Sequence, residues 1–363
     1  MTDRIFNFSA GPCTLPLPAL EKAKEEFINF RGTGMSIIEH SHRGKAYDAV
    51  HLTAIASLRE ALSVPEEFDI LLLHGGATMQ FVMVPMNFHK KGMVMEYVNT
   101  GAWAKKAIAE GKRYPDEHRV IWTNEEEKFT RMPKASEIKP GSDAAFVHFC
   151  SNETIGGIEL QEFPDCGNVP VIMDMSSHIL SRPLPWDKLS MVYAGTQKNL
   201  GPAGMAVVII RKSMIAAANA DLPAFLSYGT HQKENSLYNT PPVFTIYMMK
   251  LTLDWVKEMG GVAGMSALAD QRSGIIYRTI DQSDGWYRCP VNKECRSRMN
   301  VVWRLPSEDL EKKFIAEATA AGFDGLKGHR SVGGCRASMY NAMPVAGAEG
   351  LAQFMLDFKK KNG

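Results

Sequence analysis

The sequence has no surplus of either charge: 41 Lys and Arg stand against 40 Asp and Glu, a formal net charge of +1. That balance gives no electrostatic reason to expect nucleic acid or an anionic membrane as partner. No apolar run approaches the roughly 20 residues that a membrane-spanning helix needs. Residues 1–6 lack the basic and apolar stretches of a secretory leader, so none is expected. Cysteine is sparse, six in 363 residues, with no Cys-x-x-Cys pair. Cys13, Cys150, Cys166, Cys289, Cys295 and Cys335 are spread too widely for a disulfide scaffold or a zinc site, and suit free thiols in a reducing cytoplasm. No internal repeat or low-complexity tract breaks the chain.

What is present is a strand-then-helix rhythm. Apolar runs at 69–74, 94–98, 118–122, 144–150, 169–173, 191–194 and 205–210 read as strands, with helical spacing in several of the stretches between them. Near-continuous apolar strands alternating with helices imply a mostly parallel sheet buried on both faces. Beyond residue 260 the pattern changes to a long helix at 264–280, strands at 285–289 and 299–305, a helix at 307–321 capped by Ser307, a strand at 337–341 and a helix at 347–358. The expectation is an α/β protein with two domains. A large one, residues 1–258, holds a seven-stranded sheet covered by helices on both faces and begins with an arm over 1–15. A smaller α/β domain occupies 259–363.

One lysine, Lys198, lies in the loop between the last two apolar strands of the large domain, punctuated by Gly201, Pro202 and Gly204. A desolvated ammonium there is costly, and burial that lowers its pKa frees the amine as a nucleophile, as Schiff-base chemistry requires. Asp174 ends another strand. Its carboxylate fits a helix cap, or a partner for a protonated pyridine nitrogen. Gly75-Gly-Ala77-Thr78 opens a helix after a strand, which makes either a plain turn with a threonine cap or an anion site. Trp103 starts the next helix, as packing or as a stacking surface, and Asn152-Glu-Thr154 follows a further strand.

These residues carry a resemblance. The chain is similar to the phosphoserine aminotransferases, pyridoxal 5'-phosphate enzymes of fold type I. The matching runs are Ser41-His-Arg-Gly-Lys45, Asn152-Glu-Thr-Ile155, Ala194-Gly-Thr-Gln-Lys-Asn-Leu-Gly-Pro-Ala-Gly204 and Tyr238-Asn-Thr-Pro-Pro242. With them go Arg298-Met-Asn-Val301, Leu326-Lys-Gly-His-Arg330 and Gly333-Gly-Cys-Arg-Ala-Ser-Met-Tyr-Asn-Ala-Met343. The resemblance implies that Lys198 forms the Schiff base and shuttles the proton, and that Asp174 holds the pyridine nitrogen protonated. Thr154 then bonds the ring hydroxyl, Trp103 stacks on the ring, and Ala77, Thr78 and Gln197 bind the phosphate. It also implies a homodimer with shared active sites, in which Asn239 and Thr240 reach the neighbour's cofactor phosphate. His42, Arg43, His329 and Arg330 would take the substrate's distal anion and Arg336 its α-carboxylate. The implied substrates are glutamate and a phosphorylated 2-oxo acid.

Two departures stand out. The phosphate loop has no arginine, and Ala10 replaces a serine found in some members. Three other readings compete. A cysteine desulfurase-like lyase needs a nucleophilic cysteine, and none of the six stands in an evident mobile loop. A nucleotide-binding dehydrogenase needs G-x-G-x-x-G, which Gly75-Gly-Ala-Thr-Met-Gln80 does not supply. A non-enzymatic binding protein has no reason to keep both Lys198 and Asp174.

Overall fold

Side-chain alternation along the strands dictates the layers. Within 68–74, Ile70 and Leu72 join one apolar cluster while Leu71 and Leu73 join another. The split recurs in the last two strands of the sheet. Val192, Ala194, Val207 and Ile209 face the first cluster, and Met191, Tyr193, Val208 and Ile210 the second. A strand whose period of two puts apolar residues on both faces must be covered on both.

The computed structural model describes residues 4–115 and 117–363. In chain order its first half contains β1 (Phe6–Asn7), α1 (Leu17–Glu26), α2 (Lys45–Leu62), β2 (Phe68–His74), α3 (Gly76–Phe88), β3 (Val94–Asn99), α4 (Ala102–Gly111) and β4 (His118–Thr123). Next come β5 (Ala144–Cys150), β6 (Asn152–Glu153), β7 (Ile158–Glu159), β8 (Val171–Asp174), β9 (Met191–Gly195) and β10 (Met205–Arg211). Then follow α5 (Lys212–Ala216), α6 (Tyr228–Lys233), α7 (Val243–Glu258), α8 (Gly261–Asp281), β11 (Asn300–Trp303), α9 (Glu308–Ala320), β12 (Phe323–Asp324), β13 (Cys335–Ser338) and α10 (Val345–Asn362).

The main sheet has the order β2-β10-β9-β8-β5-β3-β4. Only β10 runs against its two neighbours; the other pairings are parallel. Helices α2 and α7 cover one face through residues such as Val50, Leu58 and Ile246, and α3 and α4 cover the other through Phe81 and Ile108. No helix is long and apolar enough to cross a membrane among the described residues.

A second core gathers Trp303, Phe314, Leu351, Met355 and Phe358 with Phe8 from the other end of the chain. Strand β1 pairs in parallel with β12, so the N-terminal arm is stitched into the C-terminal region. Phe8 is fully buried there; burying a side chain of that size contributes about 1.5–3 kcal/mol. Helix α9 starts where expected: Ser307 accepts a hydrogen bond from the Leu310 N–H at 3.2 Å. Two expected strands differ. The segment 285–289 makes only an isolated bridge, Arg288 to Arg304. Pro290 follows at once and has no N–H to extend a ladder. The strand expected at 337–341 is β13, which lies earlier, in register with β11 through Asn300 and Ser338.

An ion cluster around the buried Glu159 ties β7 to α8 and to the segment before β11. Arg298 donates to both oxygens of Glu159, from its backbone N–H at 2.8 Å and Nε at 3.0 Å, and pairs with Asp270 at 3.3 Å. His178 Nε2 lies 3.2 Å from Glu159 Oε1, close enough for attraction but off the line of a hydrogen bond. Burial pushes the Glu159 carboxyl up, but His178 and Arg298 outweigh it and hold the pKa at about 2. Arg298→Ala strands that carboxylate, and should cost about 3–5 kcal/mol of unfolding free energy, read by urea denaturation at neutral pH. A loss below about 1 kcal/mol, the value of an exposed pair, would show the cluster to be dispensable. Glu159 has a depressed pKa, so its contribution is complete above the ordinary 4.5 and fades as pH falls toward about 2. The gap between wild type and variant should narrow over that same range.

Candidate active site

Strands β2, β3, β5, β8 and β9 all point the same way, so their C-terminal ends open on one edge of the sheet, the usual place for a ligand crevice. They deliver Thr78, Trp103, Thr154, Asp174, Gln197 and Lys198 to the wall of a cavity of about 460 Å³. The turn between β9 and β10 carries Lys198 into it from a hairpin, because β10 runs antiparallel.

Lys198 is buried, and Nζ donates to Thr154 Oγ1 at 2.6 Å. Burial lowers its pKa from the ordinary lysine value, while the charge of Asp174 works against that shift. The amine sits 5.4 Å from the centre of the Trp103 ring. The N-terminal arm touches the same loop: Cys13 Sγ donates to the Lys198 carbonyl at 3.0 Å, and Gly11 and Pro12 line the cavity. Tyr340 ties the arm down by donating to the Ala10 carbonyl at 2.7 Å.

Asp174 is no helix cap. Its Oδ1 accepts from the Ser176 N–H at 2.9 Å and Oγ at 2.6 Å, whereas Oδ2 has no protein donor among the described residues. Burial raises its pKa, opposed by Ser176 and by Lys198. The group is therefore a rigidly held carboxyl with one oxygen free beside the cavity.

Helix α3 offers the anion site. Its N-cap is Gly75 rather than Thr78, and no side chain caps the helix. Gly75 has φ +86°, and a Cβ there would meet Met79 Cβ at 2.6 Å, so glycine alone fits. Thr78 lies in the first turn, where its hydroxyl and the free N–H groups of Gly76 and Ala77 open on the same space.

Arg336 lies on the far side of the Thr154–Gly156 turn, in a second cavity of about 550 Å³ that His329 also lines. It is buried, donates to the Thr154 carbonyl at 3.3 Å, leaves Nε without a partner, and pairs with no carboxylate among the described residues. Burial lowers its pKa. The His329 pKa is lowered by burial, then by Arg336, Arg330 and Lys106, a cationic group that needs an anion to balance it.

Other expected residues do not reach these cavities within one chain. His42 and Arg43 lie in the turn before α2, with Arg43 exposed. Arg330 is exposed beside His329. Asn239 and Thr240 lie near the start of α3, where the Thr240 carbonyl is 3.0 Å from His74 Nε2. Asn152, which opens the Asn152-Glu-Thr154 segment, and Ser176, two residues after Asp174, also line the cavity, and neither was expected there. The thiols are unpaired and poorly reactive: burial pushes Cys13 up to about 12 and Cys150, beside the cavity, well above its ordinary value.

With this geometry in view, comparison with known proteins is specific. The family model "Aminotransferase class-V" matches residues 5–351. A phosphoserine aminotransferase of Niallia circulans is 49% identical over 363 residues, covering all of both chains. The solved phosphoserine aminotransferase of Bacillus circulans subsp. alkalophilus superposes with a TM-score of 0.98 at 49% identity, again over all of both chains. That of Trichomonas vaginalis, solved with pyridoxal phosphate bound, gives 0.93 at 42% identity over 97% of this chain and 100% of its own. With a match over nearly its whole length and relatives at 49% identity, the chain belongs to the class-V aminotransferases, in the phosphoserine aminotransferase family of fold type I.

Proposed function

We propose that the protein is a pyridoxal-phosphate-dependent phosphoserine transaminase, moving an amino group between L-glutamate and 3-phosphohydroxypyruvate to give 2-oxoglutarate and O-phospho-L-serine in two half-reactions. The observation that carries this reading is the buried Lys198 amine, 2.6 Å from Thr154 Oγ1 in a cavity shared with Asp174. The residues fit the cofactor. The uncapped start of α3 with Ala77, Thr78 and Gln197 suits its phosphate. The donor-free Asp174 Oδ2 suits a protonated ring nitrogen, Thr154 the ring hydroxyl and Trp103 the ring face. Pyridoxal phosphate, linked to Lys198, supplies an electron sink for charge developing at the substrate Cα.

The chain's own groups do the rest. Burial leaves Lys198 Nζ readier to give up its proton than a solvated lysine, so it can take and return the Cα proton. Asp174, with Oδ1 held by Ser176, would offer Oδ2 to accept a hydrogen bond from the ring nitrogen. Arg336, unpaired and planar, fixes the α-carboxylate of either substrate. His329 and Arg330, joined by His42 and Arg43 of a second copy, receive the distal carboxylate or phosphate. A homodimer with shared sites is supported by exposed apolar side chains on the same segments: Met35, Ile38 and Leu52 near His42, and Phe225 and Tyr238 near Asn239 and Thr240. A large domain over 1–258 and a small one over 259–363 agree with a second core drawn, apart from Phe8 of the arm, from Ile276 onward, although Val262, Met265, Val291, Cys295 and Val302 pack into the first core from across that boundary. Six free thiols suit the cytoplasm.

Three tests follow from this arrangement. Borohydride reduction of the loaded protein should label Lys198, and Lys198→Ala should lose more than the roughly 10²–10⁴ of one acid–base group; label on another lysine would refute the assignment. Arg330→Ala or Arg43→Ala should raise KM for the phosphorylated substrate more than for glutamate, because phosphate carries more charge. Arg336→Ala should weaken both substrates alike, by about 1.5–3 kcal/mol for one charged hydrogen bond. Equal effects on both half-reactions would break this division. Diluting the protein through its dimer dissociation should release cofactor, by mass action between ligand and assembly. Sedimentation that finds a loaded, active monomer contradicts shared sites.

A further inference from the structure

One buried carboxylate beside the site has no part in the chemistry above. Glu153 is 1% exposed and lies on β6, next to Thr154. It reaches across to the start of α4. Its Oε2 accepts from the Trp103 N–H at 3.0 Å, and Oε1 accepts from the Ala104 N–H at 2.9 Å and the Thr100 hydroxyl at 3.3 Å. Helix α4 has no cap of its own, since its N-cap residue is Gly101. Gly101 has φ +151°, and a Cβ there would meet Glu153 Cδ at 2.8 Å. A glycine is thus needed for the carboxylate to approach.

The contrast with α3 is informative. Both helices follow parallel strands of the same sheet, and both start at the same edge. Either N-terminus would draw an anion. At α4 the protein's own carboxylate fills that role, while α3 stays open. Glu153 also fixes the backbone N–H of Trp103 itself, the residue whose ring lines the cavity.

We propose that Glu153 is a positioning residue that caps α4 from a neighbouring strand, aims the Trp103 ring at the cofactor, and leaves α3, of these two helices, as the open terminus for the phosphate. This rests on the reading of the cavity as a pyridoxal-phosphate site. Burial raises the Glu153 pKa, and the bonds from Ala104 and Trp103 oppose that shift.

The test uses Glu153→Ala and Glu153→Gln in the full-length protein. Glu153→Ala leaves a space at a helix terminus shaped for one carboxylate. Its affinity for pyridoxal phosphate should fall about tenfold, the scale of a lost helix cap. The visible circular dichroism of the bound cofactor, which reports how the ring is held, should shrink. Sodium formate should restore both signals, and chloride at equal ionic strength should not. Hydrogen exchange at the Trp103 and Ala104 amides should quicken in the cofactor-free variant. Glu153→Gln keeps the shape and one acceptor oxygen, so it should fall between wild type and alanine, and it carries the test if the alanine variant does not fold. Variants with wild-type affinity and dichroism, or an alanine variant indifferent to formate, overturn the proposal. Wild-type protein that takes up no pyridoxal phosphate overturns the functional reading instead, so the two failures are distinguishable.

Discussion

Keeping one amine out of water is the constraint on which the rest of the structure depends. A buried ammonium with no partner is costly, and the fold answers by letting Lys198 rest on Thr154 with Asp174 nearby. The pieces that exclude water come from distant parts of the chain. The arm supplies Gly11 and Pro12, β6 supplies Asn152, the turn after it supplies Thr154, and the β9–β10 turn supplies the lysine. The sheet holds them together because six of its seven strands, all but β10, end at one edge. The same low-polarity setting strengthens each charge that remains, so a single free oxygen on Asp174 carries weight it would lack in solvent.

Charge is apportioned across the site with similar economy. Around Lys198 the carboxylates Asp174 and Glu153 are buried and held by donors. Around Arg336 stand the cations His329, Arg330 and Lys106, and the buried Arg336 guanidinium itself pairs with no carboxylate among the described residues. Two ends of opposite character, separated by the Thr154–Gly156 turn, suit a substrate that must lose a proton at one end while both its anionic groups are held fast.

Much of this was legible in the sequence. The seven strands of the main sheet stood out because strands buried on both faces leave uninterrupted apolar runs, and Lys198, Asp174 and Thr154 stood out because each follows such a run. The small region was harder. The segment 285–289 has the apolar content of a strand, yet Pro290 ends its pairing after one bridge. The cap at Glu153 left no local signal, because its partners are about fifty residues away and on another element. Nor could periodicity reveal that Phe8 belongs to the core of the opposite terminus, since β1 is two residues long.

The single reversed strand has a consequence for how the protein assembles. Because β10 is antiparallel, the lysine turn is closed by a hairpin between adjacent segments of chain, a contact of short range that forms quickly. Arg336 and Thr154, by contrast, meet across 182 residues, and β1 must find β12 from the far end. Contacts of such long range bear the larger loop-closure entropy and come late. Loop-closure entropy therefore weighs lightly on the hairpin that frames Lys198 and heavily on the contacts that tie Arg336 and the N-terminal arm into place.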